Sequence, residues 1–164
     1  MDSVATVIDS ASRIPAEIAF LIIAAVLGTG FSLVRGKGRA VSLTYALLIG
    51  TSFHMVARQS LAGHGIMTAG LISVVLYVAA VLAAYFLIER FIHGEFSFSS
   101  GRKIAQTVIM GIGFAAAAAY AFLVIPGLRD FFDFTGAVTK LSISDTALAL
   151  FVVGIAAPSV ARVL

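Results

Sequence analysis

The apolar positions of this chain come in long runs separated by short polar clusters. The first run covers residues 17–34, EIAFLIIAAVLGTGFSLV, with Pro15 placed where a helix's first turn tolerates a missing N–H. After the turn RGKGR, the second covers 40–57, AVSLTYALLIGTSFHMVA, and is closed by Arg58 and the polar RQSLAGHG. The third, 66–92, has about 27 residues. As a helix rising about 1.5 Å per residue it is about 40 Å long, so it must tilt in, or project from, a hydrocarbon core of about 30 Å. The fourth, 104–126, contains GIGFAAAAAYAF, where Gly111, Gly113 and Ala117 offer a small-residue face against which another backbone packs in lipid. The fifth, 146–163, is interrupted by Pro158, which leaves about 12 residues before the break. Either the proline kinks a complete crossing or a half-span re-enters the membrane at AAPS. The pattern therefore predicts an all-α, polytopic helical membrane protein of four to five transmembrane helices, with one membrane domain over 17–164.

Two further stretches carry a pattern of their own. Over 1–16, Val4, Val7, Ile8, Ala11 and Ile14 recur at helical spacing opposite Asp2, Thr6 and Ser10, which predicts a short interfacial amphipathic helix. Between the fourth and fifth runs, Phe131, Phe132 and Phe134 sit beside Asp130 and Asp133, as aromatic side chains do at a membrane interface.

Composition narrows the class. Of 164 residues, 60% are hydrophobic and 12% charged, and the mean hydropathy is +1.08, outside the range of soluble domains. A second globular domain has no room. The pI near 9.6 would suggest nucleic acid in a soluble protein, but these cations sit in short loops between apolar runs, so no nucleic-acid partner is expected. With no cysteine, disulfides, thiolate metal sites and thiol catalysis are excluded. The chain lacks the positive n-region of a secretory signal, so the first run is expected to remain in the mature protein.

The glycine-rich stretch GTGFSLVRGKGRAVSL resembles a phosphate-binding loop only on the surface. Such a loop needs four residues between its first glycine and Gly-Lys-Ser/Thr. Here five separate Gly30 from Gly36, and Gly38 stands where the magnesium-binding hydroxyl belongs. The stretch reads instead as the turn of a helical hairpin, with Gly36 and Gly38 supplying the tight backbone. Arg35, Lys37 and Arg39 then hold that turn on the cytoplasmic side and meet anionic lipid headgroups. With the N-terminus outside, Arg35, Lys37, Arg39, Arg90, Arg102, Lys103 and Arg162 face the cytoplasm, and Arg13, Arg58, Arg129 and Lys140 the exterior. Seven against four favours that orientation.

Polar groups inside the spans are few. His54 and Arg58, four apart on one helical face, with Tyr45, could line a polar path; the competing reading has Arg58 snorkelling to the interface and His54 bonded to a neighbouring helix. Glu89 and His93, one turn apart, read as a solvated helix end, and Glu17 as a residue at the helix N-terminus. Gln106, Thr107, Ser52 and Tyr77 are candidates for bonds between helices. Three histidines without ligand spacing argue against a metal site, and no nucleophile–base pair or carboxylate dyad is present. A non-enzymatic protein without a cofactor is expected.

The succession of a helix, the basic turn SLVRGKGRAVSL, a second helix, a long apolar helix with a charged exit, a Gly/Ala-rich helix ending in AFLVIPGL and a late IAAPSVARVL resembles the colicin V production family. That resemblance implies a bacterial inner-membrane protein linked to toxin export and envelope maintenance. The expected function is a scaffold or accessory subunit of such an assembly, with membrane lipids and other membrane proteins, or copies of itself, as partners. A small oligomeric channel or transporter is the alternative. A phage-type holin is the third, although its strongly charged C-terminal tail is missing.

Overall fold

The computed structural model describes residues 16–62, 70–92, 103–125, 128 and 143–163. Among the described residues are five α-helices: α1 Ala16–Arg35, α2 Lys37–Ala62, α3 Gly70–Ile92, α4 Lys103–Val124 and α5 Ile143–Val163. All five are long and apolar enough to cross a membrane. Helices are the economical answer to such a sequence, because each satisfies its own backbone N–H and C=O groups where no water can. The protein is therefore an all-α, polytopic helical membrane protein. The interfacial segment expected over 1–16, apart from Ala16, and Phe131, Phe132 and Phe134 lie outside the described residues.

One residue joins α1 to α2. Gly36 takes a left-handed conformation (φ 92°), which ends α1, and its carbonyl accepts the first bond of α2 from the Ala40 N–H at 3.3 Å. The turn is thus tighter than the pattern predicts. Helix α2 starts at Lys37 rather than at 40, and Gly38 lies inside it. A Cβ on Gly38 would meet nothing within 4 Å, so the reversal needs only one of the two glycines.

Successive helices alternate in direction, and α4 is the centre of the bundle. Its backbone packs against the backbones of α1, α2 and α5, while among the described residues the α3 backbone approaches that of α2 alone. Small residues make this possible. A Cβ on Gly111 would land on the Thr29 hydroxyl of α1 and 2.6 Å from the Ala25 carbonyl oxygen; one on Gly113 would lie 2.8 Å from the Ala157 Cβ of α5. Ala117 has no exposed surface. On the far side of α2, a Cβ on Gly50 would come within 3.0 Å of the Val81 backbone of α3. Lipid tails are as apolar as these side chains, so such contacts hold the helices through close packing rather than through escape from water.

Two apolar clusters mark the levels of the bundle. Val41, Met110 and Ala161, with Tyr45 and Ile109 against them, join α2, α4 and α5. Tyr77, Ala121 and Ile125, with Leu47, Val81 and Leu128, form the other, in which the long Tyr77 side chain reaches from α3 across to the end of α4.

Helix α5 runs unbroken through Pro158. It begins at Ile143, and its 21 residues span about 31 Å at about 1.5 Å per residue, enough for a complete crossing. The re-entrant alternative required the helix to stop at AAPS, and it does not. The proline ring costs the Gly154 carbonyl its helical partner. At that point the Pro158 ring and the Gly154 carbonyl both face Gly113 of α4, whose missing side chain leaves room for them.

Candidate functional site

Polar side chains gather at two levels. The first is the end of the bundle where α1, α3 and α5 finish and α2 and α4 begin. Lys37 Nζ donates to Gln106 Oε1, and Arg39 Nε donates to Glu89 Oε1 at 3.1 Å. The first turn of α2 is thereby tied to the first turn of α4 and the last turn of α3. Gln106 is fully buried. Its Nε2 and the Ser32 hydroxyl of α1 find no hydrogen-bond partner.

This arrangement alters what the basic turn does. Lys37 and Arg39 enter intramolecular pairs, and Glu89, read from sequence as a solvated helix end beside His93, meets Arg39. The reason is topological: α3 ends beside the start of α2, so an arginine and a carboxylate fifty positions apart in the chain meet at one level. His93 lies outside the described residues. The Arg39 and Glu89 side chains are 42% and 23% exposed, so the pair is worth no more than about 1 kcal/mol.

The second level lies in the α2–α3 seam. His54 is buried, only 2% exposed, and its Nε2 lies 3.0 Å from the Ser73 hydroxyl. Edge-on to its ring, at 6.1 Å between centroids, stands Tyr77, one turn beyond Ser73 on α3. The Tyr77 phenol in turn interacts with Thr51, whose own hydroxyl donates to the Leu47 carbonyl at 2.7 Å. Every one of these groups has a partner within the seam. Where a polar side chain must sit in hydrocarbon, bonding to a neighbouring helix is what makes it tolerable.

Of the three residues that could line a polar path, the structure brings together two. His54 and Arg58 share a face of α2, with Arg58 exposed one turn further on. Tyr45 packs against Val41, Met110 and Ala161, on the side of α2 that faces α4 and α5. It stands two and a half turns from His54, which turns it to the opposite face. Sequence reasoning missed Ser73, although its spacing of four from Tyr77 in the otherwise apolar LISVVLYVAA marks one polar face on α3.

Gly111, Gly113 and Ala117 all lie buried on α4, facing α1 through Gly111 and α5 through Gly113. Close packing inside the monomer therefore consumes this surface. Among the described residues no group of three or more His, Cys, Asp or Glu is placed to hold a metal ion.

These features define a class, a membrane protein with five helices among its described residues, whose buried polar side chains gather in separate seams. No family model, curated protein or solved structure matches the chain.

Proposed function

We propose that this protein is a non-enzymatic inner-membrane scaffold or accessory subunit of an envelope-maintenance or export assembly. Its N-terminus lies outside and the turn carrying Arg35, Lys37 and Arg39 lies in the cytoplasm. The observation that carries this reading is the separation of the interior polar groups. His54 is closed off by Ser73 and Tyr77 in one seam, Tyr45 faces the other side of α2, and the space around α4 is filled by small side chains. A bundle of this kind serves better as a fixed body in the membrane than as a route through it. The resemblance to the colicin V production family supplies the envelope and export part of the proposal. Because the glycine face of α4 is used internally, partner helices meet the outer faces of α1 and α3, where Val26, Leu33, Leu82 and Phe86 are exposed.

A small oligomeric channel or transporter is the second reading, favoured by His54, an ionisable side chain within a span. Ion and small-solute flux across liposomes holding the purified protein separates the two. The scaffold reading expects no flux from wild type or from His54→Ala. Flux that disappears in His54→Ala overturns it in favour of a channel. The natural lack of cysteine allows a positive arm in cells: Phe86→Cys on α3 is expected to cross-link to one discrete neighbour, and its remaining monomeric and unlinked would equally count against a scaffold.

A further inference from the structure

Between α2 and α5 the bundle is not closed. These two helices touch where Leu48 meets Gly154, a Cβ on which would lie 3.2 Å from the leucine methyls. Around that contact a cleft of about 390 Å³ opens, lined by Tyr45, Leu48, Ile49 and Ser52 of α2 and Phe151 and Ile155 of α5. Ile49 is 52% and Ile155 42% exposed, so the mouth faces the surrounding lipid.

The lining selects the chemistry of the occupant. Four of the six side chains are hydrocarbon, and the Ser52 hydroxyl already donates to the Leu48 carbonyl at 2.9 Å, so it calls for no polar ligand. A flexible hydrocarbon chain, which can follow an open groove of irregular shape, matches this lining.

Charge selects the rest of the molecule. At the end of the bundle where α2 starts and α5 finishes, the described residues include Arg35, Lys37, Arg39, Arg90 and Arg162, with Glu89 as the one acid among them. At the opposite end of the same two helices, Asp145 opens α5 and Arg58 stands on α2, so positive charge there is offset. A phosphate is favoured at the first end, by roughly 1 kcal/mol per nearby cation. Distance agrees. Tyr45 lies eight residues from Lys37 and Ile155 seven from Arg162, about 10–12 Å along the helices, within the roughly 15 Å depth of one leaflet's hydrocarbon.

We infer that the α2–α5 cleft holds one acyl chain of an anionic phospholipid whose phosphate rests against the basic end of the bundle, beside Arg162. The site is independent of the scaffold reading and of which side of the membrane the basic end occupies. It gives the bundle a resident lipid that fills the gap its helices leave.

The protein has no tryptophan, so a single one introduced by substitution reports on its own surroundings. Phe151→Trp places it in the cleft wall, and Phe86→Trp places it on the outer face of α3, where Phe86 is 66% exposed. Each variant is reconstituted in phosphatidylcholine vesicles containing a minor fraction of brominated phosphatidylglycerol, or the same fraction of brominated phosphatidylcholine. Brominated phosphatidylglycerol is expected to quench Phe151→Trp several-fold more than Phe86→Trp, and brominated phosphatidylcholine to quench the two alike. Adding Arg162→Gln to Phe151→Trp is expected to weaken the apparent affinity for the anionic lipid about fivefold. Equal quenching of the two positions by phosphatidylglycerol would overturn the site. Equal effect of the two lipids at Phe151→Trp would overturn its anionic character. Shielding of Phe151→Trp from both would mean that protein, from a second copy or another partner, fills the cleft. Ile155→Trp, at the mouth, repeats the measurement if Phe151→Trp does not yield a monodisperse protein.

Discussion

Replacing Gly111 by alanine adds one methyl group at the closest approach of α1 and α4, and the structure fixes what that methyl meets. It would overlap the Thr29 hydroxyl and lie 2.6 Å from the Ala25 carbonyl oxygen, whereas carbon and oxygen rest about 3.3–3.6 Å apart. Thr29 can change rotamer, but the carbonyl is part of a helix. The two helices must therefore separate by roughly 0.7–1 Å, a gap that forfeits a quarter to a half of the dispersion energy of the contacts it opens. Overpacking of this kind costs about 1–3 kcal/mol, offset by up to about 1 kcal/mol from alanine's better helix propensity. The net loss is about 1–2 kcal/mol, which at about 2–4 °C per kcal/mol for a chain of this size lowers the melting temperature by about 2–8 °C. Gly30→Ala is the matched control, since a Cβ there meets nothing within 4 Å; it is expected to melt with or slightly above wild type. The assay heats detergent-solubilised protein and measures the monodisperse fraction by gel filtration. Thr29→Ala combined with Gly111→Ala is expected to recover part of the loss. If Gly111→Ala melted with wild type, or Gly30→Ala fell as far, the close-packing account of α1 and α4 would be wrong.

Two other outcomes follow from the seams and the turn. His54→Ala and Ser73→Ala are each expected to destabilise the protein, and a double-mutant cycle in the same heating assay should give a coupling of about 0.6–1.7 kcal/mol, the range for hydrogen bonds between membrane helices; a coupling near zero would mean that the 3.0 Å contact does not pin α3. For the proposed orientation, Lys140→Cys should react with a membrane-impermeant maleimide on intact cells and Lys37→Cys only after permeabilisation, the reverse pattern requiring the opposite topology.

The first four helices, and a fifth left open between a kinked crossing and a re-entrant half-span, were legible in the sequence because the first four apolar runs are each long enough to cross alone and each helix satisfies its own backbone. The small-residue character of α4 was legible too, in GIGFAAAAAYAF. Its neighbours were not: nothing in the run says that Gly111 faces Thr29 or that Gly113 faces Ala157. For α5 the apolar run read as 146–163 agrees with the apolar stretch Asp145–Val163, and the helix itself starts a little earlier. The helix adds Ile143–Asp145, and the Pro158 ring packs against Gly113 of another helix. Glu89 was misplaced because its partner Arg39 belongs to the preceding helix and is brought near only by the antiparallel hairpin.

What the chain determines by itself is the class: apolar runs of bilayer length, the cationic turn between the first two, and a glycine able to take the left-handed conformation that joins α1 to α2. These are local properties of length, hydropathy and backbone freedom. What only the tertiary structure decides is which faces meet. Close packing in lipid depends on shape matched between helices distant in sequence, and so do the His54–Ser73 contact, the turning of Tyr45 away from His54, and the cleft left where α2 and α5 diverge.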